Sequence, residues 1–118
     1  MPVVGIGGVF FRAADPKALR AWYEKHLGVV VNFASPWIQE PGPTLFMPFS
    51  QGTDKFPADK QWMINFRVTE LDALIAALRA ADIAVTTKPE WDTPETGKFA
   101  NVSDPEGNLV ELWEPPEE

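Results

Sequence analysis

The sequence predicts an α+β domain: two repeated βαβββ modules forming one open, cupped mixed sheet, with helices on its convex face. Three observations carry that expectation. The order of elements in the first half recurs in the second, each half opening with a short apolar run, continuing with a capped amphipathic helix and closing with short alternating runs. A shift of 55 positions places Phe11-Arg12 on Phe66-Arg67, Ala18-Leu19 on Ala73-Leu74, Ala21 on Ala76 and Val30 on Val85. The chain also ends in a hairpin whose turn is explicit in Asp104-Pro105-Glu106-Gly107-Asn108. There proline pre-sets φ, glycine supplies positive φ, and Asp and Asn tolerate the bend and cap it.

The first module occupies about residues 1–50. Val3 to Arg12 is an apolar run with glycines and reads as a strand. Asp15 followed by Pro16 marks a helix start, an N-cap acceptor before a first-position proline. Leu19, Trp22, Tyr23 and Leu27 recur at helical spacing as the buried stripe, and Gly28 ends the helix. Strands are expected at Val29 to Phe33, Trp37 to Glu40 and Thr44 to Phe49, separated by the Ser35-Pro36 and Pro41-Gly42-Pro43 turns. Residues 51–60 form a polar linker. The second module, 61–118, repeats the plan with a strand over Gln61 to Val68 and a helix capped by Thr69 and running to about Ala81. Leu71, Leu74, Ile75 and Leu78 form its stripe. A strand at Ile83 to Thr87, a loop at Pro89 to Thr96 and the terminal hairpin follow, with hairpin strands Phe99 to Ser103 and Leu109 to Trp113.

Composition narrows the function classes. At 118 residues, 45% hydrophobic and 12% aromatic, the chain fits one ordered domain with a core of its own. The absence of cysteine excludes disulfides, thiolate metal sites and cysteine nucleophiles. A formal net charge of −7 disfavours nucleic acid, whose phosphates need clustered Lys and Arg. No basic leader precedes an apolar stretch and no run approaches the roughly 20 apolar residues of a membrane span, so a cytoplasmic protein without membrane association is expected.

Strand alternation separates helix-facing from cup-facing positions. Val9 and Phe11, then Leu45, Met47 and Phe49, then Ile64, Phe66 and Val68 suit the helix side. That leaves Gly8, Phe10 and Arg12, then Thr44, Phe46 and Pro48, then Met63, Asn65 and Arg67 for the cup, with Asn101, Leu109, Glu111 and Trp113 from the hairpin. Glu111 stands out as a carboxylate in a strand interior, flanked on its own face by Leu109 and Trp113.

The stretch Gly97 to Pro115, GKFANVSDPEGNLVELWEP, resembles the closing strands of the vicinal oxygen chelate superfamily, which includes glyoxalases, bleomycin- and fosfomycin-resistance proteins and extradiol dioxygenases. The resemblance spans essentially the whole chain and implies the two-module architecture, commonly as a homodimer. In metal-dependent relatives the glutamate of this strand is a metal ligand, here Glu111. The other ligand positions carry over to Gly8, Phe46 and Met63. Glycine and phenylalanine offer no donor, and a thioether suits zinc, nickel, manganese or iron poorly, so no metal or other cofactor is expected.

The remaining candidates have plain structural readings. His26 lies in the last turn of its helix, where it suits the C-terminal carbonyls. Gly5-Ile6-Gly7-Gly8 opens no helix and is no phosphate loop. Trp37, Trp62, Trp91 and Trp113 are either aromatic walls for a ligand or core and interface packing. The expected function is binding of a small organic molecule in an apolar cup lined by Gly8, Phe10, Phe46, Met63, Asn65, Arg67, Asn101, Glu111 and Trp113. Alternatives are a glyoxalase-type lyase or isomerase with Glu111 as general base or residual metal ligand, and a non-catalytic interaction module. Glu111 itself is either a ligand anchor or a structural ion pair with Arg67 or Arg12.

Overall fold

The computed structural model describes residues 2–29 and 34–117, so the predicted strand Val29 to Phe33 lies, apart from Val29, outside the described residues. The first helix, α1 (Pro16–Leu27), has the predicted boundaries. The Asp15 carboxylate accepts from the Ala18 N–H at 3.1 Å, satisfying one of the free donors of the first turn. At the other end Gly28 adopts φ 71°, a left-handed conformation that costs glycine little, and its N–H returns to the Glu24 carbonyl.

The second helix, α2 (Leu71–Ala80), starts differently from the sequence expectation. Thr69 does not cap it; Glu70 occupies the N-cap at φ 52° and makes no side-chain bond there. The acceptor comes from far along the chain, as Glu114 Oε1 accepts the Leu71 N–H at 2.7 Å. A carboxylate at this end satisfies an orphan donor and matches the helix dipole, and local sequence rules do not see a cap from 43 residues away.

Among the described residues three strands form the sheet: β1 (Ile64–Arg67), β2 (Lys98–Ser103) and β3 (Leu109–Glu114), in the order β1-β3-β2. β1 runs parallel to β3, and β2 pairs antiparallel with β3 through the predicted turn. Thr86 adds an antiparallel bridge to Asn101 on the outer side of β2. The architecture is therefore α+β, with an open mixed sheet and two helices. Both helices cover one face: Leu19 and Tyr23 from α1 and Leu71, Ile75 and Leu78 from α2 pack with Ala100, Val102, Val110 and Leu112. Alternation explains the division, since Ala100, Val102, Val110 and Leu112 share one side of the pleat. Truncating a fully buried member such as Leu112 to alanine would cost about 2–5 kcal/mol.

Of the first half, the described residues show only its helix. Residues 2–13 and 34–63 contain no strand, so the predicted strands Val3 to Arg12, Trp37 to Glu40 and Thr44 to Phe49 carry no ladder here. Their helix-side residues Val9, Phe11, Leu45, Met47 and Phe49 are exposed instead of packed on the core. The physical reason is the missing partner: an extended segment becomes a strand only when a neighbour takes up its N–H and C=O groups.

What fastens α1 to the second half is the hairpin turn. Asp104, 4% exposed, accepts at Oδ1 from the N–H groups of Glu106 (2.8 Å) and Asn108 (3.0 Å). Its Oδ2 accepts from Asn108 Nδ2 at 2.7 Å and from the Tyr23 hydroxyl at 2.6 Å. Glu106 adds a second tie, accepting from the N–H groups of Ala14 at 2.6 Å and Asp15 at 2.9 Å just ahead of α1.

Tyr23→Phe removes a hydrogen bond to a charged acceptor and should lower the urea-unfolding free energy by about 1.5–3 kcal/mol. Burial first, then the hydrogen bond to Asp104 and its charge, hold the Tyr23 hydroxyl protonated well above the ordinary phenol range. The folded pKa is raised, so this stability is complete below the unfolded tyrosine value of about 10 and declines as pH rises beyond it. Urea titrations above that pH should show the decline in the wild type and a shallower one in Tyr23→Phe. At Gly97, φ is 98° and a Cβ would run into the Glu114 carbonyl oxygen. Gly97→Ala should therefore destabilise by at least about 1 kcal/mol, read as a lower Tm.

Candidate functional site

The face of the sheet opposite the helices carries a row of polar side chains. Asn65 on β1 lies in register with Glu111 on β3, and Glu111 lies in register with Asn101 on β2. Beyond Asn101 its bridge partner Thr86 extends the row. Residues in register share a face, so these four side chains line up across the sheet. Asn65 Nδ2 donates to Glu111 Oε1 at 2.7 Å. Asn101 Oδ1 is buried and has no hydrogen-bond partner among the described residues.

Two register positions along, on the same face, lies an aromatic pair. Phe99 and Trp113 face each other across β2 and β3, their rings nearly parallel at 9° with centroids 6.2 Å apart. The Trp113 Nε1–H donates to the Thr96 carbonyl at 2.7 Å, which fixes the indole, and the residue is buried. Trp113 thus forms part of the floor, while half-buried Phe99 is the more accessible ring. Phe99 was missed as a cup residue, although its spacing of two from Asn101 on the same strand is the signal that finds it.

Arg67 shares this face but is turned away from Glu111. Its guanidinium Nη2 donates to the Glu40 carbonyl at 2.9 Å and its Nη1 lies against Gly42. Among the described residues the one ion pair is the exposed Lys98–Asp72 contact at 3.1 Å, so Glu111 is not paired with Arg67 or Arg12 there. The other predicted cup residues are not part of this ladder. Gly8, Phe10 and Phe46 lie on segments without strand, with Phe10 90% exposed, and Met63 is half-buried just before β1. The structure therefore gathers Asn65, Arg67, Asn101, Glu111 and Trp113 on one face and leaves Gly8, Phe10 and Phe46 outside the sheet.

Donor chemistry decides what this face can hold. Of Gly8, Phe46, Met63 and Glu111, the positions that the resemblance suggests for metal ligands, only Glu111 offers a hard oxygen. Among the described residues no three His, Cys, Asp or Glu side chains gather at a common point. A chelated cation needs more protein ligands than one carboxylate supplies. Two clefts lie elsewhere, on the helix side: one of about 340 Å³ between α2 and β2 near Arg79 and Lys98, and one of about 210 Å³ by Gly28, Trp37 and Phe66. Neither includes the polar row. No described helix is long and apolar enough to cross a membrane.

A model of the Glyoxalase/Bleomycin resistance protein/Dioxygenase superfamily matches residues 5–112. The chain belongs to that superfamily. Among solved structures it is similar in fold to TnmS3, an antibiotic binding protein from Streptomyces sp. CB03234, with a TM-score of 0.59, 21% identity and 98% of each chain covered. No match was found among curated proteins.

The hydrogen-bonding of Glu111 generates a stability prediction. Glutamine keeps an oxygen for Asn65 Nδ2 and removes a charge that no described cation balances. Glu111→Gln should change the unfolding free energy by less than about 1 kcal/mol. A loss of about 3–5 kcal/mol would mean that a buried ion pair had been broken.

Proposed function

We propose that this protein binds a small, partly aromatic organic molecule on the cup face of its sheet and sequesters it without a metal. The observation that carries the reading is the Asn65–Glu111–Asn101 row beside the stacked Phe99 and Trp113. Aromatic surface supplies affinity and a few fixed polar groups set orientation, the usual division of labour in a ligand site. The description of TnmS3 as an antibiotic binding protein supports the same class of activity. The single hard donor among the positions that the resemblance suggests for metal ligands supports binding without a metal.

The proposal includes a homodimer in the cytoplasm. Exposed Val4, Phe10, Ile38 and Phe46, together with the uncovered outer edge of β1, give the first half a surface that a second chain would cover. In that assembly Gly8, Phe10 and Phe46 would complete the apolar wall around the polar row. A second reading is favoured by one observation: among the described residues Glu111 makes a single hydrogen bond, and it is half-buried, so its carboxylate can take a proton from a bound ligand. That would make the protein a lyase or isomerase with Glu111 as general base.

Trp113 lies in the proposed floor, so ligand binding is read by tryptophan fluorescence during a screen of aromatic natural-product-like compounds. A ligand that binds should lose at least tenfold in affinity, about 1.4 kcal/mol, in Glu111→Gln. Recovery of the compound unchanged after long incubation supports sequestration, whereas conversion abolished by Glu111→Gln establishes the enzymatic reading. Sedimentation at micromolar concentration should give about twice the chain mass; a monomer throughout would reject the dimer.

A further inference from the structure

Among the described residues the polar row holds a carboxylate that no cation balances, and that shortage specifies the ligand. We propose that the ligand of this face is a flat organic cation that presents N–H donors to Glu111, an inference that rests on the cup face being the binding site.

The argument begins with backbone register. Asn101 exchanges both its backbone hydrogen bonds with Thr86, at 2.9 Å each, so its N–H and C=O point away from β3. Asn101 and Glu111 therefore form the non-hydrogen-bonded type of antiparallel pair, with Cα atoms about 4.5 Å apart and side chains at their closest. Glu111 nevertheless takes its one hydrogen bond from the other neighbour, Asn65. Among the described residues, Glu111 Oε2 and Asn101 Oδ1 accept from nothing.

No described cation answers the charge of Glu111. The Arg67 guanidinium is held by the Glu40 carbonyl, and Lys98, on the opposite side of the pleat, is held by Asp72. A molecule laid across Phe99 would cover Glu111 and take its carboxylate out of water. Burying a charge is strongly unfavourable unless the incoming group brings the opposite charge and hydrogen bonds with it. An amidinium-like edge, with adjacent N–H groups and delocalised charge, meets that demand. A carboxylate edge would instead set a second negative charge beside Glu111.

Benzamidine, catechol and benzoate share one ring and present paired cationic donors, paired neutral donors and paired anionic acceptors. Each would be titrated into the intact protein by tryptophan fluorescence and by ¹⁵N–¹H shifts that include the Asn65 and Asn101 side-chain amides. Benzamidine should bind at least tenfold more tightly than benzoate, with catechol between them, and should shift both amides. Glu111→Gln should remove most of the difference between benzamidine and benzoate. Benzoate binding as tightly as benzamidine on this face would overturn the donor requirement while leaving the face as the binding site. Benzamidine shifts confined to other acidic surface, such as that around Asp72 and Asp92, would overturn the assignment to Glu111. If none of the three probes perturbs the face, both this inference and the binding reading beneath it fail.

Discussion

The buried carboxylate of Asp104 is the constraint on which the other contacts depend. Isolated, such a group is costly inside a protein; here four donors surround it, two from the turn backbone, one from Asn108 and one from Tyr23. The two backbone bonds hold the turn, and the turn fixes the register of β2 on β3. That register places Asn101 opposite Glu111 and Phe99 opposite Trp113. The Tyr23 bond reaches across 81 residues to α1 and brings the helix down onto the core face. A slip of one residue in the hairpin would send Glu111 into the core and Leu112 to the other side. One residue thus couples the closing of the fold to the alignment of the candidate site.

The two faces of the sheet divide the tasks. The helix-covered face is apolar and close to fully buried, and it supplies the stability. The opposite face holds polar groups that the described residues do not use to completion, above all Glu111 Oε2 and Asn101 Oδ1. A fold optimised for stability alone would pair these groups or replace them. Their persistence beside an aromatic pair is the structural basis for reading this face as a ligand surface.

Much of this was legible in the sequence because it depends on local chemistry. The Asp15-Pro16 start and Gly28 stop of α1, the stripe Leu19/Tyr23, the Asp104 to Asn108 turn and the alternation of β3 are all short-range signals, and each is found in the structure. The superfamily was legible from the terminal hairpin. What was not legible depends on residues far apart in sequence. Glu114, not Thr69, caps α2; Asn65, not an arginine, bonds Glu111; and Glu106 holds the backbone ahead of α1. Strands of the first half were expected from apolar runs, the turns between them and the repeated plan, but a strand needs a partner as well as a propensity, and Val9, Leu45 and Phe49 remain exposed. Face assignments succeeded in the hairpin, where the turn fixed the phase of alternation, and Phe10 and Phe46 lacked such an anchor.

The most direct test of this account is hydrogen exchange at the backbone amides of Glu106 and Asn108, both of which donate to Asp104 Oδ1. If the buried carboxylate holds turn, helix and sheet in one cooperative unit, these two amides open only with the whole domain. Their protection should then approach that of Val110 and Leu112 in the core strand and should fall with them when Tyr23 is replaced by phenylalanine. Exchange at the rate of an ordinary exposed turn, while Val110 and Leu112 stay protected, would contradict the account.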